Sequence, residues 1–321
     1  MAQTREHGSD PRPTAAEPIF STVMPVYNHA EYVAMSVRSV IEQTCSDWEL
    51  IIVDDGSTDG SGRVIDELAD DDARIRAIHQ DNAGPAAARN AGIRLARGRW
   101  LTFLDSDDLW RPDALAGFAR YTDERPSARF IYGYRHRLNE DGTTTAQPGE
   151  YQDRPTGTAE LFGRMHLAVM CVCCRRDLVL EAGLYDETLR ACEDYDLFLR
   201  MSLLSPLEPL GRPVGLRRRH GKNVSRPTGR LRMLEADVLR RFVDRDGGAK
   251  VLDGRAVRRR LGRLYCSAAR HYLRARRYRQ AVRAARLANQ CHRTLKSTLV
   301  AWGSRLLCPL EATDDGRAPQ P

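Results

Sequence analysis

Four short strand-like runs, each followed by a turn and a helical stretch, constrain this chain more than any other feature. They are Phe20 to Met24, Glu49 to Val53, Ile75 to His79 and Trp100 to Leu104. Between them, Glu31 to Gln43 places Val33, Val37, Val40 and Ile41 on one helical stripe, Arg63 to Leu68 reads as helix, and Gly84-Pro85 introduces an Ala-rich helix through Ala96. Strands apolar on both faces and alternating with helices predict an α/β fold, a parallel sheet covered by helices on both sides. Right-handed crossovers bring the strand C-termini to one edge. Open α/β sheets bind their ligands at that edge.

Beyond about residue 126 the pattern changes. Phe130 to Arg135 reads as a strand, Asn139 to Gly142 as a turn, Thr158 to Met165 as a helix and Leu167 to Cys174 as a buried strand. Cys192 to Leu204 is an amphipathic helix opening with Glu193-Asp194-Tyr195-Asp196. From about residue 230 the chain reads as helix only, and Leu261 to Ala288 carries small residues at helical spacing around a break at Arg276 to Tyr278. That stretch is similar to one tetratricopeptide-like helix pair, though a single copy makes no array. The expected organisation is a disordered leader at 1–17, an α/β unit at 18–228 with halves at 18–125 and 126–228, a basic helical region at 229–308 and a disordered tail at 309–321.

At 42% hydrophobic and 29% charged, the 321 residues suit a globular protein with a sizeable core. No uncharged apolar run reaches the roughly 18 residues of a membrane span, and the first twenty lack a signal-peptide apolar core. The expected location is the cytoplasm. Eight scattered cysteines form no disulfide framework, and Cys171 and Cys174 lack the second ligand pair of a zinc ribbon. The net charge of +7 hides an asymmetry: residues 1–210 carry 22 basic and 35 acidic side chains, residues 211–310 carry 27 and 5. Such a basic region suggests an anionic partner. Arginine-biased coding explains it equally well, since all but three of the fifty basic residues are Arg.

Two strand ends carry acids. Asp105, Asp107 and Asp108 fall within four residues, where like charges repel unless a cation relieves them. Hard oxygen ligands of this kind suit Mg²⁺ or Mn²⁺, completed by substrate phosphates. A helix N-terminus near Pro112 accounts for one such aspartate, not three. Asp54-Asp55-Gly56-Ser57-Thr58-Asp59-Gly60-Ser61 offers carboxylates beside the same edge or else forms a solvated turn. Gly84 to Asn90 adds a helix start and Arg89, suited to a diphosphate.

Pro25-Val26-Tyr27-Asn28, Val53-Asp54-Asp55-Gly56-Ser57, Ala88-Arg89-Asn90-Ala91-Gly92 and Leu104-Asp105-Ser106-Asp107-Asp108, in this order, resemble the motifs of glycosyltransferase family 2. Glu193-Asp194 resembles that family's second acidic motif. The likeness covers roughly residues 19–225 and is specific for a GT-A fold, a Rossmann-like, mostly parallel sheet, while saying nothing of the sugar. It implies an inverting transferase that moves a sugar from a nucleotide-diphosphate donor to an acceptor hydroxyl in bacterial polysaccharide, glycolipid or glycoconjugate synthesis. On this resemblance Pro25 and Tyr27 line the base pocket, Asp55 holds a uracil or thymine ring, and Arg89 and Asp105 lie at the nucleotide. Asp107, with Asp105 and Asp108, holds Mn²⁺ or Mg²⁺, and Asp194 is the base, with Glu193 and Asp196 as rival assignments. Arg219-His220 resembles a late motif whose His approaches the metal or diphosphate, although Arg217 to Arg219 is also a plain basic run.

Two other readings compete. A nucleotidyltransferase also clusters aspartates on an α/β sheet, but residues 24–31 lack its Gly-rich basic loop. A nucleic-acid module would use the arginines of the helical region, yet no helix-turn-helix, zinc finger or aromatic RNA signature accompanies them. The basic region is instead expected to pack on the catalytic unit and to touch an anionic membrane, with Leu295 to Leu307 serving as an interfacial helix or as core.

Overall fold

In the computed structural model, which describes residues 17–139, 141–146, 154–218, 228–292, 294, 298–300 and 303, strands β1 (Phe20–Val26), β2 (Trp48–Asp54), β3 (Ile75–His79) and β4 (Trp100–Phe103) pair in parallel. Helices α1 (Val33–Ile41), α2 (Ser61–Asp71) and α3 (Pro85–Leu95) make the crossovers. The continuous apolar run of β2 is explained by its alternation. Leu50 and Ile52 join a core beneath α1, while Ile51 and Val53 join one beneath α3. Helices therefore cover both faces. Where α3 crosses β1, a Cβ on Gly92 would lie 2.5 Å from Val23 Cγ1, so only glycine permits this approach.

The second half departs from the parallel pattern. β5 (Leu109–Trp110), α4 (Ala114–Glu124), β6 (Phe130–Leu138), β7 (Thr144–Ala146), α5 (Thr158–Gly163), β8 (Val172–Arg175), α6 (Arg176–Glu181), α7 (Glu193–Ser202) and β9 (Glu208–Arg218) complete the α/β part. The sheet runs β3-β2-β1-β4-β8-β6-β9-β5, with β7 appended to β6. β8 is antiparallel to both β4 and β6, and β5 is antiparallel to β9. The strand expected over Leu167 to Cys174 is shorter: a 3₁₀ turn occupies Val169–Cys171 before β8 begins. β9 was not legible because it holds Pro209, Gly211 and Pro213. It survives through register shifts against β6 at Gly133, whose missing side chain makes room for the Arg212 carbonyl.

α8 (Gly229–Asp244), α9 (Gly254–Arg274) and α10 (Tyr278–Cys291) form the C-terminal region, with the α9–α10 break where the small-residue spacing places it. One apolar cluster runs from Val23 and Phe103 of the sheet through Phe198 and Leu199 of α7 to Leu239 and Phe242 of α8 and Leu261 and Leu264 of α9. The helical region therefore shares its core with the sheet. Among the described residues no helix is long and apolar enough to cross a membrane.

Candidate active site

The carboxyl edge of the parallel strands gathers the motifs. Pro25 stays within β1, opposite Val53, and Tyr27 emerges at the edge, 50% exposed. Asn28 adopts φ 54°, a left-handed conformation that Asn tolerates better than most residues. Its N–H donates to Ser57 Oγ at 3.0 Å and its Oδ1 accepts from the Thr58 N–H at 2.8 Å. The next two amides, of His29 and Ala30, donate to Ser61 Oγ and Asp59 Oδ2. The serine- and aspartate-rich loop after β2 thus fastens the loop after β1, while its Thr58, Asp59 and Gly60 stay exposed to solvent.

Asp55 is buried, and its carboxylate is largely committed. Oδ1 accepts from Gln80 Nε2 at 2.7 Å and the Ala83 N–H at 2.9 Å, and Oδ2 accepts from the Gly84 N–H at 2.8 Å. These bonds fix the β3–α3 loop and occupy the Gly84 N–H, at the start of the stretch expected to suit a diphosphate. Oδ2 accepts this one bond, which leaves it a second acceptor position.

Arg89 is the structural centre of the rim. The first turns of α3 aim it at two carboxylates from distant parts of the chain. Nη2 donates to Asp105 Oδ1 at 2.7 Å and Nη1 to Glu193 Oε1 at 2.8 Å. The guanidinium is buried and lies over the Tyr185 ring at 5.5 Å. Arg89 is at the expected edge, but its charge is spent on carboxylates. Asn90 beside it clamps the Tyr185 segment, donating to the Tyr185 carbonyl and accepting from the Tyr185 N–H.

The three acids that open α7 separate by partner. Glu193 pairs with Arg89, and the buried Asp196 accepts from Arg200 and Arg241. Asp194 makes no ion pair among the described residues, and its Oδ1 accepts only from the Tyr195 N–H of its own helix. Burial, with the Glu193 charge beside it, pushes the Asp194 carboxyl up to about 7. Cys192, at the helix N-cap, holds φ 63° and turns the chain into α7. A non-glycine residue there costs roughly 1–2 kcal/mol.

The Asp105 to Asp108 loop follows β4. Its Ser106 is tied to α1 by the Ser36 hydroxyl, which donates to the Ser106 carbonyl at 2.8 Å, and to His29 Nδ1 through its own Oγ. Asp105 and Asp107 are partly exposed while Asp108 is buried. Burial, then the charges of Asp107 and Asp105, raise the Asp108 carboxyl well above the ordinary range. The end of β9 supplies compensation that sequence reasoning missed. The Arg218 N–H donates to Asp108 Oδ1 at 3.0 Å, its Nε donates to the Asp107 carbonyl, and its guanidinium lies over the Tyr32 ring at 5.4 Å. The basic run before His220 was the available signal. His220 itself lies outside the described residues.

Hard carboxylate oxygens crowded at a partly open rim fit Mg²⁺ or Mn²⁺. Among the described residues no group of three or more His, Cys, Asp or Glu converges to enclose a metal unaided. The structure brings Asp105 and the start of α7 together through Arg89, with Asp107 and Asp108 in the same loop and Asp55 at the end of β2 on the same edge.

Comparison with known proteins agrees with this architecture. The family model described as Glycosyl transferase family 2 matches residues 21–181. TuaG of Bacillus subtilis (strain 168), named for teichuronic acid biosynthesis, is 39% identical over 128 residues, 40% of this chain and 50% of TuaG. Chondroitin synthase of Escherichia coli is 29% identical over 214 residues, 65% of this chain and 30% of the synthase. The chain spans half or less of each of these relatives. Among solved structures, Staphylococcus aureus TarS 1-349 in complex with UDP-GlcNAc aligns with TM-score 0.61 at 16% identity, covering 89% of this chain and 91% of that one. The mannosyltransferase PcManGT of Pyrobaculum calidifontis, in complex with GDP-Man and Mn²⁺, aligns with TM-score 0.56 at 17% identity, over 93% and 83%.

Proposed function

Since this chain belongs to glycosyl transferase family 2, we propose that it transfers a sugar, with inversion, from a nucleotide-diphosphate donor to an acceptor hydroxyl. The donor is a UDP- or dTDP-sugar, and the acceptor is a glycan, a lipid-linked glycan or a small molecule. The process served is bacterial polysaccharide or glycoconjugate synthesis, in keeping with the names of the relatives. One observation carries the reading: Arg89 joins Asp105, in the acidic loop after β4, to Glu193 at the start of α7, bringing two distant acidic motifs to one rim.

The residues divide the work as follows. Tyr27 and Pro25 form a wall for the base, and Asp55 offers its remaining acceptor position to a base N–H while holding the β3–α3 loop. Asp105 faces the nucleotide, and Arg89 orients it. Asp107, with Asp105 and Asp108, holds Mn²⁺ or Mg²⁺, and His220 joins them or the diphosphate. When bound, the ion offsets negative charge on the departing diphosphate. Arg218 adds positive charge on the same side. Asp194, the α7 acid without an ion pair among the described residues, takes the proton from the attacking hydroxyl.

The transferase unit spans residues 18–228, with a donor half at 18–125 and an acceptor half at 126–228, and the basic region at 229–308 braces it through α8 and α9. It works at the cytoplasmic face of the membrane, held peripherally by that basic region. A panel of nucleotide sugars, assayed for nucleotide release with and without Mn²⁺, tests the reading. Release from one UDP- or dTDP-sugar that depends on Mn²⁺ or Mg²⁺ is expected. Pyrophosphate release from a sugar phosphate and a nucleoside triphosphate would contradict it.

A further inference from the structure

From Gly254 to His292 the chain carries twelve arginines and no acidic residue. In the structure this stretch is the α9–α10 pair, and its packing decides where those charges go. Ala268 and Ala269 of α9 meet Ala284 and Ala285 of α10 in a cluster of their own. Side chains this small bring the helices close, leaving no space between them for arginine stems. At 100° per residue, Arg255, Arg259, Arg263, Arg270 and Arg274 fall within about 100° of arc on α9, opposite its buried Leu264 and Ala268. Arg255, Arg259, Arg263 and Arg274 are exposed, while Arg270 is partly buried and the buried Cys266 falls inside the same arc, so the stripe is interrupted between Arg263 and Arg270 along a helix of about 30 Å. On α10, Arg279, Arg283 and Arg286 recur at i, i+4 and i+7 on the face opposite Ala281 and Ala288.

A solvated basic face normally carries interspersed acids. Here one partner stands out: Arg260 donates to Glu235 of α8, at the edge of the α9 stripe. Among the described residues Arg255, Arg259, Arg263 and Arg274 have no carboxylate within 4 Å, and Asp237 of α8 senses Arg283 only through space.

We infer that the outer face of the α9–α10 pair is an electrostatic dock for an anionic phospholipid surface, holding headgroup phosphates by charge and without apolar insertion. The inference names the surface behind the peripheral membrane contact proposed above, and it does not depend on the transfer chemistry. Long arginines spread over a helix-length surface match a plane of many phosphates. Binding of single-stranded nucleic acid interleaves aromatic stacking platforms with basic side chains, and no aromatic residue falls on these arginine arcs. Each basic side chain near an anionic bilayer contributes several-fold in affinity, so the term is additive and salt-screened.

The full chain is to be sedimented with vesicles of phosphatidylcholine alone and of phosphatidylcholine with about a third phosphatidylglycerol. The variant R259E/R263E/R274E is compared with the charge-matched control R38E/R63E/R120E, whose substitutions lie on the sheet half. Circular dichroism checks folding of both. Binding to the anionic vesicles alone is expected, with loss at about 0.5 M salt. The α9 variant should bind about a hundredfold more weakly or worse, and the control should stay within a few-fold of the parent. Equal binding to neutral vesicles, equal loss in the control, tighter binding to arbitrary RNA at the same salt, or no binding to either vesicle would each overturn the inference. Nucleotide release from a donor is measured separately. Pelleting without release would sink the transferase reading alone, and release without pelleting would sink the dock alone.

Discussion

Arg89 Nη1 and Glu193 Oε1, 104 residues apart in the chain, lie 2.8 Å apart, and Nη2 of the same guanidinium holds Asp105. The bridge crosses from the first, parallel half of the sheet to the helix that carries Asp194.

Removing the bridge strands both carboxylates. Arg89→Ala leaves Glu193 uncompensated while Asp105 stays partly solvated, so about 3 kcal/mol of stability should be lost, the lower end for a broken buried pair. Denaturant unfolding reads this. Arg89→Lys should recover part of the stability but not the two-carboxylate geometry, leaving kcat/KM depressed. Parental turnover in Arg89→Lys would refute the positioning role.

If Asp194 is the base proposed above, it should link rate to pH. Burial and Glu193 raise its carboxyl to about 7, so it is protonated and inactive as a base at lower pH. In a pH profile, kcat/KM should fall about tenfold per unit below that value and level off above it. Glu193→Gln removes the neighbouring negative charge, so the descending limb should move to lower pH.

Asp107 should report on the metal. Asp107→Asn is expected to raise the Mn²⁺ concentration needed for half-maximal nucleotide release by tenfold or more, with unfolding changed little because the side chain is partly exposed. An unchanged metal requirement would remove Asp107 from the metal site.

Gly92 tests the helix–strand contact apart from the chemistry. Gly92→Ala places a methyl 2.5 Å from Val23 Cγ1 and should cost about 1–3 kcal/mol. Adding Val23→Ala should recover much of that loss, a coupling that a double-mutant cycle measures.

How much of this was legible follows from where each signal resides. β1 to β4 could be read because strands buried on both faces need uninterrupted apolar runs, as Leu50 to Val53 supplies. β9 could not, since Pro209 and Pro213 argue against a strand until the bulges against Gly133 are seen. The acidic motifs were visible as residues, but their partners were not. Nothing local in Ala88-Arg89-Asn90 points to Glu193, and the three acids of α7 separate only once Arg89 and Arg241 are placed. Ser57, Asp59 and Ser61 likewise show their purpose only when the loop after β1 lies against them.

The central claim is that the carboxylates at this rim divide donor binding from proton removal. Its most direct test compares the parent with Asp194→Asn, titrating nucleotide by calorimetry and following sugar transfer from the donor that the panel identifies. The account predicts nucleotide affinity within about twofold of the parent and turnover lower by about 10²- to 10⁴-fold. Transfer by Asp194→Asn at the parental rate, or a loss of nucleotide binding that matches the loss of turnover, would contradict it.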